Sequence, residues 1–495
     1  MLSAKRKSLS KIIYLLLIFP SIVHAIPVDW QGVFGADFNG LTNFRFVSKE
    51  SPGTDVSVAG PQAPGDKPNA SFESYLIKLL PNFTINDTAS FKAELSTGYA
   101  RSGFFGDGQR YDYKNDQFGD VLYYFNTFGL KNFVTFNRFW MELYSDTATY
   151  GIGRMSMNWG MGAIYNGGEN TWDRFANVRD NLVIKIKLGN FALDPFVAKI
   201  GEGNSLTSAT YAIEFGIPVT YEVPESDMKM GFIWTKKNLA AQNDVVVTPY
   251  APPPATPPNT TPTYLGSSGV NIFDLYFNKS FGKLGLEFEV PFFSGRLGNF
   301  RNQPGDTNYS SMAALFNLEF KFSQSFKMGL DLGMIPGDNP ADAKFTSVYL
   351  NPNYHIANIL FRYGQQGIAD SDNYSVWDIY VANTNFLKIY AEFLTEKWAL
   401  NLSAIYAKAD KVATTGGQYV VYERNTYPIT AIADQSKNMG TEVDFNFTYA
   451  WNNEVRIGGE LGYLLTGEYF GFNNTATPYK TENPFLLKIN AAVTF

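Results

Sequence analysis

Polar and apolar residues alternate along most of the chain in runs of about ten, separated in turn by short and long connections. The final run is the clearest. Phe485, Leu487, Ile489, Ala491, Val493 and Phe495 alternate with Lys488, Asn490 and Thr494. Val443, Phe445, Phe447 and Tyr449 alternate with Glu442, Asp444, Asn446 and Thr448, and Leu284, Leu286, Phe288 and Val290 with Glu287 and Glu289. Successive strand residues point to opposite faces, so each run predicts a strand with one apolar and one polar side.

About eighteen such strands are predicted, within a range of about sixteen to twenty. Their starts fall near residues 32, 73, 89, 132, 148, 180, 191, 208, 227, 271, 283, 311, 325, 384, 397, 440, 453 and 485. Short turns fall near Asn86, Ser145, Gly189, Gly282, Ser323, Glu396 and Asn452. Long polar segments occupy 48–71, 102–130, 160–179, 237–269, 294–309, 335–383, 409–438 and 467–483. Short turns on one side and long loops on the other predict an all-β fold, a transmembrane antiparallel up-and-down β-barrel. Within 237–269 the run APPPATPPNTTP cannot pair in a sheet and reads as an exposed loop. Segment 335–383, with Gly333, Gly337, Gly364 and Gly367, is open to two readings, a loop folded into the lumen or one projecting outward.

Composition agrees. Aromatic residues make up 16% and charged residues only 17%, with a net charge of −6 and no cysteine. Strands that face lipid on one side and water on the other have this balance, and the charge gives no basic surface for nucleic acid. Lys5, Arg6, Lys7 and Lys11 precede an apolar stretch from Ile12 to Phe19 that ends at Val23-His24-Ala25. This predicts a signal peptide over 1–25 and an outer-membrane barrel over 26–495. The terminal Phe495 suits recognition of the last strand by the barrel-assembly machinery.

On the predicted facing, the lumen is lined by Arg138, Glu142, Arg154, Lys185, Lys187, Glu287, Glu289, Asp331, Glu442, Asp444, Arg456 and Glu460, among others, with bases and acids nearly balanced. Arg138 and Arg154, with Arg174 and Arg179, either form a basic rung for an anionic solute or pair with lumen acids to tie the wall together. Catalytic motifs are lacking. His355 is the only histidine after residue 25, and there is no Cys, His-Glu-x-x-His or Gly-x-Ser-x-Gly. Asp370-Ser371-Asp372-Asn373 offers oxygen ligands but lacks EF-hand spacing, and no cofactor is indicated.

Three stretches resemble the alginate-export-type porins. They are Tyr150–Asp180, with Gly153-Arg154, Trp159-Gly160 and Trp172-Asp173-Arg174; Gly337–Asp342 followed by Pro352-Asn353-Tyr354-His355; and Gly440-Thr441-Glu442-Val443-Asp444 through Gly458 to Gly467-Glu468-Tyr469-Phe470. The resemblance implies an eighteen-stranded monomeric barrel with loops folded into the lumen. It does not imply alginate as cargo, because the strongly arginine-lined pore is missing. The sequence thus predicts an outer-membrane channel for passive diffusion of small hydrophilic, anionic or saccharide-like solutes. The alternatives are an adhesive or structural barrel with a plugged pore, or a barrel hydrolase.

Overall fold

The structure is a computed structural model. It describes residues 26–48, 68–104, 134–202, 211–239, 246–247, 263–264, 268–298, 307–340, 342, 344–369, 375–419 and 429–495. The expected signal peptide, the run APPPATPPNTTP and Asp370–Asn373 lie outside the described residues.

Among those residues one sheet closes on itself through eighteen strands. They are β1 (Val28–Leu41), β2 (Ala70–Asn86), β3 (Ala89–Ser96), β4 (Thr135–Tyr144), β5 (Ala148–Ser156) and β6 (Val178–Leu188). Next come β7 (Phe191–Leu193 and Phe196–Glu202, broken at Pro195), β8 (Tyr211–Val223), β9 (Met228–Leu239), β10 (Ser268–Phe281), β11 (Leu284–Arg296) and β12 (Asn308–Met312 and Ala314–Lys321). The circuit ends with β13 (Phe326–Ile335), β14 (Thr384–Leu394), β15 (Trp398–Ala409), β16 (Asn438–Ala450), β17 (Val455–Thr466) and β18 (Phe485–Thr494). Each pairs antiparallel with its neighbours in sequence, and β18 pairs with β1. Gly32 N–H donates to Phe495 O at 2.8 Å and Phe495 N–H to Gly32 O at 3.1 Å, so the last residue closes the ladder.

The exterior is greasy. Phe38, Ile152, Leu275, Leu402 and Ile489 are outward-facing and exposed. Aromatic pairs cluster beside the short turns, as in Phe83 with Phe91, Phe277 with Phe288, and Trp398 with Tyr449, which is the expected girdle at a membrane interface. An exterior of this kind on a closed sheet belongs in lipid, and the chain is an outer-membrane β-barrel.

The lumen departs from simple polar-inside alternation. Leu76, Ile233, Ile405, Leu464 and Leu486 point inward and are fully buried. Ile233, Ile405, Leu464 and Leu486 share one core with two loops whose described residues fold into the barrel, 157–177 and 336–383, through Trp159, Tyr165, Leu350, Ile359, Leu360 and Val376. The two loops also bind each other. Asn351 N–H donates to Ala163 O at 2.7 Å, and Asn353 Nδ2 donates to Phe175 O at 2.7 Å. Of the two readings of 335–383, the inward one is what its described residues adopt.

Gly440, in β16, holds φ at +122°, and a Cβ there would lie 2.2 Å from Leu465 O. The register with β15 skips Met439, pairing Ala407 with Gly440 and Lys408 with Asn438, and this bulge in β16 needs that backbone. Gly440→Val is expected to destabilise the wall by about 1–3 kcal/mol. The check is the urea midpoint at which the compact gel band of unboiled protein is lost; an unchanged midpoint contradicts it.

Candidate functional site

Strand alternation places carboxylates on the inner wall, and the inward loops use them as anchors. Glu442 and Asp444 are two residues apart on β16 and so share the inward face. Glu442 accepts from Ile359 N–H at 2.6 Å and Leu360 N–H at 2.9 Å, and Asp444 accepts from Asn358 N–H at 3.1 Å. Across the barrel Glu289 accepts a short hydrogen bond from Met161 N–H. Glu214 accepts from the Tyr165 hydroxyl at 3.0 Å and pairs with Arg179 at 2.8 Å. Burial, and then the Glu214 charge, push the Tyr165 hydroxyl well above its ordinary pKa, so it stays a donor. Glu94 pairs with both Arg101 and Arg138, each at 2.6 Å, and Arg101 Nη1 then donates to the carbonyls of Gly168, Asp173 and Phe175.

The two loops meet the wall at a basic, aromatic eyelet. Arg174 pairs with Asp37 at 2.9 Å and lies over the Trp377 ring at 4.1 Å. Lys488 pairs with Glu460 at 2.8 Å and lies over Trp172 at 5.4 Å, and Arg362 reaches the same Glu460 at 3.6 Å. These cations, with Phe175, Pro352, Asn353 and His355, surround a cavity of about 20 Å³, room for one water. Three cations there meet two carboxylates. His355 touches this space. Desolvation, with Arg362, Lys488 and Lys388 nearby, lowers its pKa well below 6.5, so it is neutral at ordinary pH. The cavity lining contributes no hydroxyl or carboxyl group that His355 would activate.

The other expected residues fall as follows. Glu142 binds Lys92 at 2.7 Å and Lys185 at 3.3 Å on the periplasmic side of the loops, where Lys187 is exposed. Glu287 accepts from the Tyr276 hydroxyl at 2.7 Å, Asp331 accepts from Asn317 Nδ2 at 2.5 Å, and Arg456 stands exposed near the periplasmic mouth. The expected rung of four arginines does not form on the lumen wall, although Arg154, Arg174 and Arg179 border one cavity. Arg154 faces outward, paired with Asp180 at 2.7 Å and lying over the outward Phe139 ring at 5.8 Å. Its two-residue spacing from the exposed Ile152 carries that information in the sequence. Arg138, Arg174 and Arg179 do pair with wall acids, the tying role.

Sequence reasoning missed Asp37, Arg101, Glu214, Arg362, Trp377 and Lys78, whose Nζ donates to Asn170 O at 2.5 Å, and named Trp172 only within a motif. Alternation alone could have found Asp37, Lys78 and Glu214, which sit between apolar neighbours. The other four lie on irregular backbone where no period applies. Among the described residues no cluster of three or more His, Asp or Glu is placed to hold a metal ion.

Removing one acceptor that buries two amides costs about 1–3 kcal/mol. Glu442→Ala is therefore expected to speed hydrogen exchange at Ile359 and Leu360 about tenfold or more. Unchanged exchange at both amides contradicts the anchor.

No protein-family model matches the chain, and no curated protein does. Solved structures similar to it include OccAB4 of Acinetobacter baumannii, with a TM-score of 0.47, 8% identity, and coverage of 95% of this chain and 99% of that one. OpdK of Pseudomonas aeruginosa, solved with vanillate, has a TM-score of 0.46 at 9% identity, covering 94% and 98%. A loop-deletion form of OmpT, an outer membrane protein of Vibrio cholerae, has a TM-score of 0.38 at 10% identity, covering 95% and 100%. Similarity this low adds nothing about activity to what the barrel itself displays.

Proposed function

We propose that the chain is a monomeric, porin-like channel through which small hydrophilic anions diffuse passively across the outer membrane. The observation that carries this is the eyelet, where Arg174, Arg362 and Lys488 meet only Asp37 and Glu460. Its charge would favour anions. Its aromatic rings would offer faces to a planar or sugar-like solute. A space of about 20 Å³ holds one water, so a larger solute passes only when the loops part. Kinship with the alginate-export-type porins belongs to this proposal, supported by the three motif stretches, which supply both inward loops and the wall that anchors them. So does delivery to the membrane through β18 and Phe495 by the barrel-assembly machinery.

A second reading has its own observation. The apolar core inside the lumen suits a plugged structural or adhesive barrel. Conductance separates the two. In planar bilayers the channel reading expects small stepwise currents with a reversal potential favouring anions, and Arg362→Gln/Lys488→Gln weakens that preference. Folded barrels that carry no current point to the plugged reading.

A further expectation concerns pH. Because the pKa of His355 is lowered, its imidazolium forms only in acid well below 6.5. Anion preference should stay level from neutral pH through 6.5 and rise only well below it, as a positive charge is added. A step near 6.5 that His355→Gln abolishes contradicts this assignment.

A further inference from the structure

The barrel wall is split on its extracellular side between β4 and β5. These strands pair only from Phe139↔Arg154 to Tyr144↔Thr149, six residues. Above that point each continues with its other neighbour. β4 pairs with β3 up to Thr135, and β5 pairs with β6 up to Ser156. Six residues of a tilted strand rise about 16 Å, less than the apolar band of about 25 Å. Among the described residues the seam therefore opens within the outer leaflet. Phe136 on β4 and Val134 just before it, exposed and apolar, stand at that height. A similar shortfall beside the upper part of β12 is filled by Lys344–Phe345, which pairs with Asn308 and Tyr309. No described strand does this at the β4–β5 seam.

A cavity of about 370 Å³ occupies the seam and is lined from both faces of the wall. Phe136, Arg154, Asp180 and Lys199 come from outside, and Arg101, Arg174 and Arg179 from inside. Asp180 is the lone carboxylate among five cations in this lining. Arg179 is nearly fully buried. It spends Nε on Glu214 and Nη2 on Asn177, while its Nη1 has no hydrogen-bond partner. An open seam in lipid, a cationic lining and an unused buried guanidinium donor together suit an acidic head with a hydrocarbon tail. Arg174 and Phe175 line both this cavity and the eyelet, so the two spaces adjoin.

We propose that the β4–β5 seam is a lateral binding site for the oxyanion head of an amphiphile lying in the outer leaflet. Arg179, Arg154 and Lys199 hold the phosphate or carboxylate, and the chain lies along Phe136 and Phe139. The site is separate from axial diffusion through the eyelet, and either can fail without the other.

The test is direct binding to the full barrel in nanodiscs, with empty discs as the blank and dodecyl phosphate and inorganic phosphate as probes. Saturable dodecyl phosphate binding is expected, weakened about tenfold in Arg154→Gln/Lys199→Gln and in Ala176→Trp, which fills the cavity. Inorganic phosphate is expected to bind at least tenfold more weakly. Equal binding of dodecyl phosphate by wild type and a folded variant overturns the proposal, as does equal binding of the two probes, the mark of a site for free anions. Heat-dependent gel migration verifies folding of each variant, and the two act by different means, so loss of one leaves the other to decide. Addition of lipid A that displaces dodecyl phosphate supports the site and identifies a resident lipid as the occupant.

Discussion

Lipid offers no partner to a peptide N–H or C=O, and that constraint governs the whole molecule. Eighteen strands satisfy it only because β18 returns to β1, with Gly32 and Phe495 exchanging both of their backbone hydrogen bonds. A strand register one residue out would turn the greasy face inward and the charged face into lipid. The alternation is therefore regular over most of the outside, where the solvent is uniform, with Arg154, Asp180 and Lys199 as exceptions beside the β4–β5 seam.

Inside, the constraint is different. The loops that enter the lumen bring backbone amides away from water, and these need acceptors. The wall supplies them as carboxylates, with Glu442, Asp444 and Glu289 receiving loop amides and Asp37, Glu94 and Glu214 receiving loop or wall arginines. Breaking such a buried set from one side leaves uncompensated polar groups, so the anchors hold firmly without each adding much net stability. The near balance of bases and acids in the lumen thus arises largely from internal pairing. Little charge is left over for solute on the lumen wall, and at the eyelet three cations meet two carboxylates.

Where the ladder between described strands is short, the same constraint calls for something else to satisfy the wall. At the β4–β5 seam, Arg138 reaches Ser156 at 2.5 Å and Glu169 at 2.6 Å, a side-chain tie in place of ladder hydrogen bonds. This is the part of the barrel where cationic side chains from the two faces come together.

Much of the fold was legible in the sequence. The period of two located the strands, and Asn86, Gly189, Gly282 and Asn452 marked the turns, because lipid on one side and water on the other impose a repeating choice at every second residue. The same rule placed Glu442, Asp444, Glu460 and Lys488 on the inner face. Applied to the spacing from Ile152, it would also have placed Arg154 outside, where the reading from sequence had set it in the lumen. What periodicity could not reach was the path of 157–177 and 336–383. Arg174 finding Asp37, Arg362 finding Glu460, and Trp172 lying against Lys488 join residues far apart in the chain on irregular backbone. Nor could it explain inward Leu464 or Ile233, which are apolar because a loop and not water covers them. Sequence alone determined the barrel, because each strand reports its own solvent. The lumen was decided only by tertiary structure, because there the solvent of the wall is another part of the chain.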